Sequence, residues 1–369
     1  MEYDVKAIAA NFNLDGKLTG SEPFGSGHIN DTYNLICEND GEQIHYILQR
    51  INHQVFKDPP AMMENIRRVT SHIYRRLQEQ QNKLASRQLI VIAAKDGSDF
   101  FLDDRGNYWR IYNRIENAFT YDTIESPEFA YEAARMFGRF AALLTDLPGP
   151  PLHETIPDFH TTPKRLKTFM EVFRQDPCNR AKDAGAEIDF VLENAEICDV
   201  LINLAGKGEI PVRTTHNDTK INNVLLDAKT HEGVCVIDLD TVMPGLSLYD
   251  FGDMVRTATN PAEEDERDLS KATMRMPIFE MLLRGFAEET HTFLTLAEKK
   301  NLIFAGKLIT FEQMIRFLAD HLAGDTYYKI HRENHNLDRC RTQMKMVQSI
   351  TDQEEQMNAL ADSVFQELS

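Results

Sequence analysis

The chain is poor in cysteine, in positive charge and in long apolar runs, and each shortage removes a class of protein. Five cysteines (Cys37, Cys178, Cys198, Cys235, Cys340) are scattered over 369 residues, and none lies in a Cys-x-x-Cys pair. Neither a zinc site nor a disulfide framework is expected, and reduced thiols in a cytoplasmic protein are the simpler reading. No apolar run approaches the roughly 18 residues that would span a bilayer. The start Met1-Glu2-Tyr3-Asp4-Val5-Lys6 lacks the basic-then-apolar pattern of a signal peptide. No membrane partner is expected. Lysine and arginine number 40 against 58 acidic residues, a formal net charge of −18. Such a chain is a poor nucleic-acid binder, and it repels polyphosphate unless a few basic residues or a metal ion gather positive charge locally. Heptads, internal repeats and low-complexity tracts are absent, so a monomer is expected.

What is present is enough apolar residue, 42%, for one large or two moderate domains. A short helix over 4–12 precedes strands at 32–36 and 44–51, joined by the hairpin signal Asn39-Asp40-Gly41. Pro59-Pro60 opens a helix whose Met62, Ile66, Val69 and Ile73 share one face. Strands are read at 89–94 and 107–115. Beyond Thr120 helices are read near 126–146, 161–175, 185–206, 262–290, 295–324 and 336–368, around a strand-rich island at 209–240. The pattern predicts an α+β, two-lobed architecture: a small antiparallel-sheet lobe over 1–111, a connector at 112–117 and a mainly helical lobe over 118–369.

The island carries the chemistry. His216-Asn217-Asp218 is followed by Lys220, Asn223 and, after a hairpin, Asp238. A carboxylate to orient a hydroxyl, a cation and two oxygen ligands for Mg²⁺, in that order, form the phosphoryl-transfer pattern of kinases. Asp218 alone would serve as a turn former; its spacing to Asn223 and Asp238 favours a base. Asn223 offers a neutral oxygen to a hard cation, or caps a turn. Lys220 has the spacing of a lysine that meets the transferring phosphate, or is a plain loop lysine. Asp238 and Asp240, two apart on a strand, point to one face, and two adjacent carboxylates call for a cation or donor between them. Asp238 is the better metal ligand by position, leaving Asp240 to assist it or to take substrate hydroxyls. His216 and Asp250 brace the loop. Gly25-Ser26-Gly27 is a nucleotide-covering loop or only a hairpin.

The segments Gly27-His28-Ile29-Asn30, Tyr46-Ile47-Leu48-Gln49, Thr215–Lys220, Ile237–Thr241, Asp250–Asp253, Arg316–Asp320 and Arg341-Thr342-Gln343 span most of the chain. On them the sequence resembles the aminoglycoside phosphotransferase and choline kinase superfamily, and within it the bacterial N-acetylhexosamine 1-kinases. The resemblance implies a protein-kinase-like fold and ATP-dependent, Mg²⁺-assisted phosphorylation of the anomeric hydroxyl of N-acetylglucosamine or N-acetylgalactosamine. It implies Asp218 as base, Asn223 and Asp238 on the metal, and His28, Asp240, Arg316 and Tyr327 around the sugar. Gly25, Gly27, Gln49, Tyr112, Asn113 and Ile115 would meet the nucleotide.

Read without the resemblance, Arg316 forms an exposed charge ladder with Glu312 and Asp320, Tyr327 packs on Tyr328 and His28 is a turn donor. The sequence lacks the lysine that many kinases place on the third strand. Gln49 or Arg50 must replace it, with Glu64 as a helix partner. Two other readings stand: a kinase for an aminoglycoside, choline or homoserine, with the acidic run 262–268 as a broad pocket rather than a solvated helix start, and a nucleotide-binding pseudokinase.

Overall fold

The computed structural model describes residues 3–25, 29–124 and 126–369. The first lobe starts with helix α1 (Val5–Ala9), then strands β1 (Lys17–Pro23), β2 (Asp31–Asn39) and β3 (Glu42–Ile51), helix α2 (Pro59–Glu79), and strands β4 (Val91–Ile92), β5 (Phe101–Leu102) and β6 (Tyr108–Asn113). All pairs are antiparallel, in the order β1-β2-β3-β6-β4 with β5 beside β6. The β2–β3 hairpin turns through Asp40 and Gly41, both at positive φ, the geometry that matches strand twist.

Alternation along the strands splits the lobe into two faces. Leu35, Cys37, Tyr46, Leu48, Trp109 and Ile111 pack with Ile8 and Phe12 in a small core of their own. Ile51 and Tyr112 face the other way and join Met62, Ile66 and Val69 of α2 in the core that continues into the second lobe. Gln49 and Arg110 occupy that second face too, and they stand opposite each other in the β3–β6 register. Two strands escape the sequence pattern. β1 is an edge strand with mostly exposed side chains, and β5 has only two residues. The strand expected over 89–94 shrinks to Val91–Ile92.

β6 ends at Asn113, and after Arg114–Asn117 strand β7 (Ala118–Phe119) already pairs with the second lobe, in a sheet ordered β10-β9-β7 with β9 (Val224–Asp227) and β10 (Gly233–Val236). Strands β8 (Arg213–Thr215) and β11 (Met243–Gly245) form a second small ladder. The helices are α3 (Pro127–Leu143), α4 (Thr162–Gln175), α5 (Gly185–Glu193), α6 (Val200–Gly206), α7 (Ser247–Ala258), α8 (Met276–Thr290), α9 (Leu296–Lys300), α10 (Leu302–Leu322) and α11 (His335–Glu367).

Four sequence expectations change here. The helix read over 185–206 breaks into α5 and α6 around a 3₁₀ turn at Ala195–Asp199. The one read over 295–324 breaks at Asn301, because Glu298, which closes the capping box of α9, is also held by both Arg213 nitrogens at 2.9 Å. The acidic run is no helix start: Glu264 and Asp265 are drawn out of any helix by Arg256, Arg332, His335 and Arg339. Helix α7 has no sequence counterpart, although its apolar residues keep a helical period; in the fold it is buried on nearly every side. Among the described residues no helix is long and apolar enough to cross a membrane.

Close helix crossings rest on glycine. A Cβ on Gly285 of α8 would lie 2.2 Å from the Tyr131 carbonyl of α3, and one on Gly252 of α7 would lie 2.6 Å from the Ala305 carbonyl of α10. Backbone cannot yield as a flexible side chain can. Gly285→Ala is expected to cost about 1–3 kcal/mol in urea unfolding. Gly185→Ala is the control: its Cβ would meet nothing within 4 Å, and it is expected to be neutral or mildly stabilising.

Candidate active site

The loop after β8 is held by buried acids from α7. The Asp250 carboxylate accepts the amides of His216 (3.0 Å) and Asn217 (2.7 Å), and Asp253 accepts that of Thr219 (3.0 Å). Burial pushes the Asp250 carboxyl up, and these donors with the nearby imidazoles draw it back. His216, edge-on to Phe137 and Phe140, donates from Nε2 to the Ile237 carbonyl (3.0 Å), and its Nδ1 accepts the Asp218 amide (3.3 Å). Those partners assign the neutral Nε2–H tautomer. Asn217, at φ 67°, sends its amide to the carbonyls of Thr215 and Thr241.

Asp218 itself is half-buried at the turn into the 3₁₀ segment Ile221–Asn223. Lys220 Nζ stands 3.1 Å from its Oδ1, and Asn223 Nδ2 donates to its carbonyl (2.8 Å) and to Oδ2 (3.3 Å). Desolvation would raise the Asp218 pKa; the Lys220 ammonium, with the other positive groups around it, holds the carboxyl below its usual range, while Asp218 raises that of Lys220. The Asp218 carboxylate is therefore ionised at neutral pH.

Asp238 and Asp240 do not share a strand face as their spacing suggests. β10 ends at Val236, Asp238 is left-handed (φ 60°, ψ 59°), and Leu239–Thr241 is a 3₁₀ turn. The two carboxylates part company. Asp238 opens to solvent in the cleft between the lobes, and among the described residues its oxygens accept no hydrogen bond. Enclosure in the cleft, then repulsion by Asp240 and Asp218, pushes its carboxyl up to about 6. Asp240 is only 2% exposed. Both its oxygens are bound by the Arg110 guanidinium, and Asn30 Nδ2 adds a third donor at 2.8 Å. Three protein donors already meet Asp240, so the role the geometry gives it is to tie the two lobes together.

Arg110 is the residue that sequence reading missed. It reaches from β6 to the Asp238–Thr241 turn across the lobes, donates Nε to Gln49 (2.9 Å) and lies over the Tyr112 ring. Desolvation opposes its charge, but Asp240 overcomes this and raises its pKa. The expected substitutes for the third-strand lysine are engaged elsewhere. Gln49 bonds Thr32 and Arg110, Arg50 pairs with Asp31, and Glu64 pairs with His153. Only register with the next strand could have pointed to Arg110.

The other nucleotide candidates also sort by geometry. Tyr112 is buried, with strands paired on both sides, and the Asn113 amide is taken by Gln88 and Ile90. Neither has a free edge for a base, which corrects both expectations. Ile115 makes no backbone hydrogen bond among the described residues, and it packs with Val234 and Cys235 beside the partly buried Leu225 and Ile237. Gly25 sits at φ 76° with open space around it; Gly27 and His28 lie outside the described residues. Asn223 Oδ1, like the Asp238 carboxylate, has no protein partner among the described residues. Two hard oxygens beside crowded carboxylates fit Mg²⁺ whose remaining ligands come from phosphates and water.

Two cavities lie on the helical side, and the first takes in part of the loop. One of about 170 Å³ is bounded by Lys220, Asn222, Arg256, Asn260 and Gln343. The other, about 200 Å³, is bounded by Arg165, Arg316, Asp320, Tyr327 and Tyr328. Arg316 is no exposed ladder member: it lies against the rings of Phe159 and Tyr328, and Glu312 and Asp320 are buried with other partners. Tyr327, 68% exposed, stands edge-on to Tyr328 at the cavity mouth. Glu312 accepts His160 Nδ1 (2.9 Å) and Thr162 (2.7 Å), and His160 Nε2 faces the Asn217 carbonyl (3.0 Å).

The description "Phosphotransferase enzyme family" matches residues 21–273, more than half of the chain, and the protein belongs to that family. Solved structures share the fold at low identity. An aminoglycoside phosphotransferase from Alicyclobacillus acidocaldarius superposes with a TM-score of 0.58 at 12% identity, covering 100% of this chain and 97% of its own. A spectinomycin phosphotransferase in complex with ADP and spectinomycin gives 0.56 at 12%, covering 95% and 97%. Choline kinase from Cryptosporidium parvum gives 0.53 at 13%, covering 93% and 94%. The protein is thus a member of the phosphotransferase enzyme family with the fold seen in an aminoglycoside phosphotransferase and a choline kinase.

Both His160 nitrogens face acceptors, so the ring is held as an imidazolium. Desolvation lowers its pKa, but Glu312 outweighs this and raises it. A raised folded-state value means that the stabilisation is complete below the ordinary value of about 6.5 and fades as pH climbs through the folded one. The melting-temperature deficit of His160→Gln relative to the parent is expected to be largest near pH 6 and to shrink toward pH 9. A deficit that grows with pH would contradict the pair.

Proposed function

We propose that the protein transfers the γ-phosphoryl group of ATP to the anomeric 1-hydroxyl of an N-acetylhexosamine, N-acetylglucosamine or N-acetylgalactosamine. The reading rests on one observation: Asp218, Lys220, Asn223 and Asp238 gather at the cleft, and Arg316, resting on Phe159 next to the His160 that meets the loop, lines a cavity with aromatic and hydrogen-bonding walls but, among the described residues, no free carboxylate. Asp320, its one acid, spends both oxygens on the amides of Thr326, Tyr327 and Tyr328 and on Asn336. Arg165 and Arg316 on the cavity wall disfavour a cation such as choline or an aminoglycoside, even beside aromatic rings; a sugar needs directional donors and a ring to lie on.

In this reading Asp218, ionised and anchored through its amide to His216, orients the acceptor hydroxyl and takes its proton as the O–P bond forms. Lys220 lies beside that carboxylate, where it can meet the transferring phosphoryl oxygens. Asn223 and Asp238 would hold Mg²⁺, which supplies neutralisation of phosphate charge. Residues 112–117 act as the hinge between lobes 1–111 and 118–369. The Ile115 backbone meets the adenine edge over a floor of Leu225 and Ile237. Arg316 and Tyr327 contact the sugar; His28 and Gly27 belong to the same proposal by resemblance. A cytoplasmic monomer fits the scattered free thiols.

The test is ADP release over a panel of N-acetylglucosamine, N-acetylgalactosamine, choline, homoserine and an aminoglycoside, with phosphorus NMR of the product. Turnover is expected with the N-acetylhexosamines, dependent on Mg²⁺ and slowed about 10²–10⁴-fold in Asp218→Asn. Turnover with choline or the aminoglycoside alone would replace the acceptor assignment. Nucleotide binding with no turnover on any acceptor would leave a pseudokinase.

A further inference from the structure

Two guanidinium groups face the cavity of about 200 Å³ between α4 and α10 without a carboxylate of their own. Arg165 donates Nη2 to the Phe159 carbonyl at 2.9 Å, and its buried Nε has no partner. Arg316 donates Nη1 to Gln313 at 3.0 Å, and its plane rests on Phe159 and Tyr328. Among the described residues neither arginine has an acidic oxygen within the 4.0 Å of an ion pair. Glu312, the acid that influences both, is already committed to the His160 imidazolium and to Thr162. Burial, and then the Arg316 charge opposite, lowers the pKa of Arg165. In a chain of net charge −18, two unneutralised arginines side by side are costly unless something negative comes between them.

We propose that this cavity is a subsite for an anionic group on the acceptor, a carboxylate or phosphate ester clasped between Arg165 and Arg316. The inference rests on the acceptor reading above and narrows it to N-acetylhexosamines with an acidic substituent away from the anomeric carbon. Planar guanidinium forks suit both oxyanions, and Tyr327 at the mouth offers a ring face to the sugar. The same pair repels a protonated amine, which gives selection by rejection as well as attraction.

Binding, not turnover, tests the subsite, so it is separable from the phosphotransferase reading. Calorimetric titration in the presence of a non-hydrolysable ATP analogue would compare four sugars. They are N-acetylglucosamine, N-acetylglucosamine 6-phosphate, N-acetylmuramic acid with its carboxylate-bearing ether, and protonated glucosamine. At least one acidic sugar is expected to bind about 10- to 100-fold more tightly than N-acetylglucosamine, with glucosamine weakest and the advantage shrinking in high salt. The two acidic arms tell carboxylate from phosphate. Arg165→Gln should erase the acidic advantage and leave N-acetylglucosamine affinity nearly unchanged, and Arg165→Lys should restore part of it. Equal affinity for acidic and neutral sugars, or an equal loss for all of them in Arg165→Gln, would make Arg165 a packing residue and overturn the subsite. Failure of all four to bind would overturn it too, while ADP release on the wider panel would still judge the phosphotransferase reading.

Discussion

The ion pair between Arg110 and Asp240 joins the two lobes at the point where the chemistry is assembled. Arg110 comes from the sheet of the first lobe and Asp240 from the turn that presents Asp238 to the cleft. A charge this deep survives only when every donor and acceptor around it is used, and here they are. Gln49 takes Nε, both Asp240 oxygens are occupied, and Asn30 completes the carboxylate while its own oxygen accepts the Asn52 amide. Removal of one partner of such a pair costs about 3–5 kcal/mol, because the other charge is left stranded. The left-handed Asp238 is two residues from this anchor, so the turn that carries it is fixed against the first lobe instead of floating on the helical one. In this fold the arginine stands on the strand beside the one that usually carries a lysine, and its role is to position the turn.

A second set of buried charges holds the catalytic loop from below. Asp250 and Asp253 accept three of its amides, those of His216, Asn217 and Thr219, and His160, paired with Glu312 of α10, meets it at the Asn217 carbonyl. Both sets act on backbone or on carboxylates, and leave Asp218, Lys220, Asn223 and Asp238 open toward the cleft. Buried networks that are fully satisfied make a rigid platform. Phosphoryl transfer depends on positioning more than on covalent chemistry, so a rigid platform is what the reaction needs.

The candidate set Asp218, Lys220, Asn223 and Asp238 could be picked out of the sequence because its members lie close along the chain and their order has chemical meaning. Arg110, His160 and Arg165 could not, because each gains its role from a neighbour 57 to 151 residues away: Asp240, Asn217 and Arg316. Spacing also misled at Asp238 and Asp240. A two-residue interval reads as one strand face, but the strand stops at Val236 and the turn sends the carboxylates apart. Helix α7 also went unread, although its apolar residues keep a helical period, and 262–275 was given a helix that its arginine partners prevent. The two-lobed, kinase-like architecture was visible, since hairpins and long amphipathic helices are local signals.

The central claim is that Arg110 and Asp240 act as one unit that positions the turn carrying Asp238. A double-mutant cycle tests it most directly, with Arg110→Met, Asp240→Leu and the pair compared in urea unfolding and in the Mg·ATP dependence of ADP release. Each single substitution is predicted to cost about 3–5 kcal/mol, and the double to recover most of that stability. The double should still show a raised KM for Mg·ATP, because an apolar pair packs but does not orient the turn. Additive losses of stability, or a double variant with the parent's KM and kcat, would contradict the account.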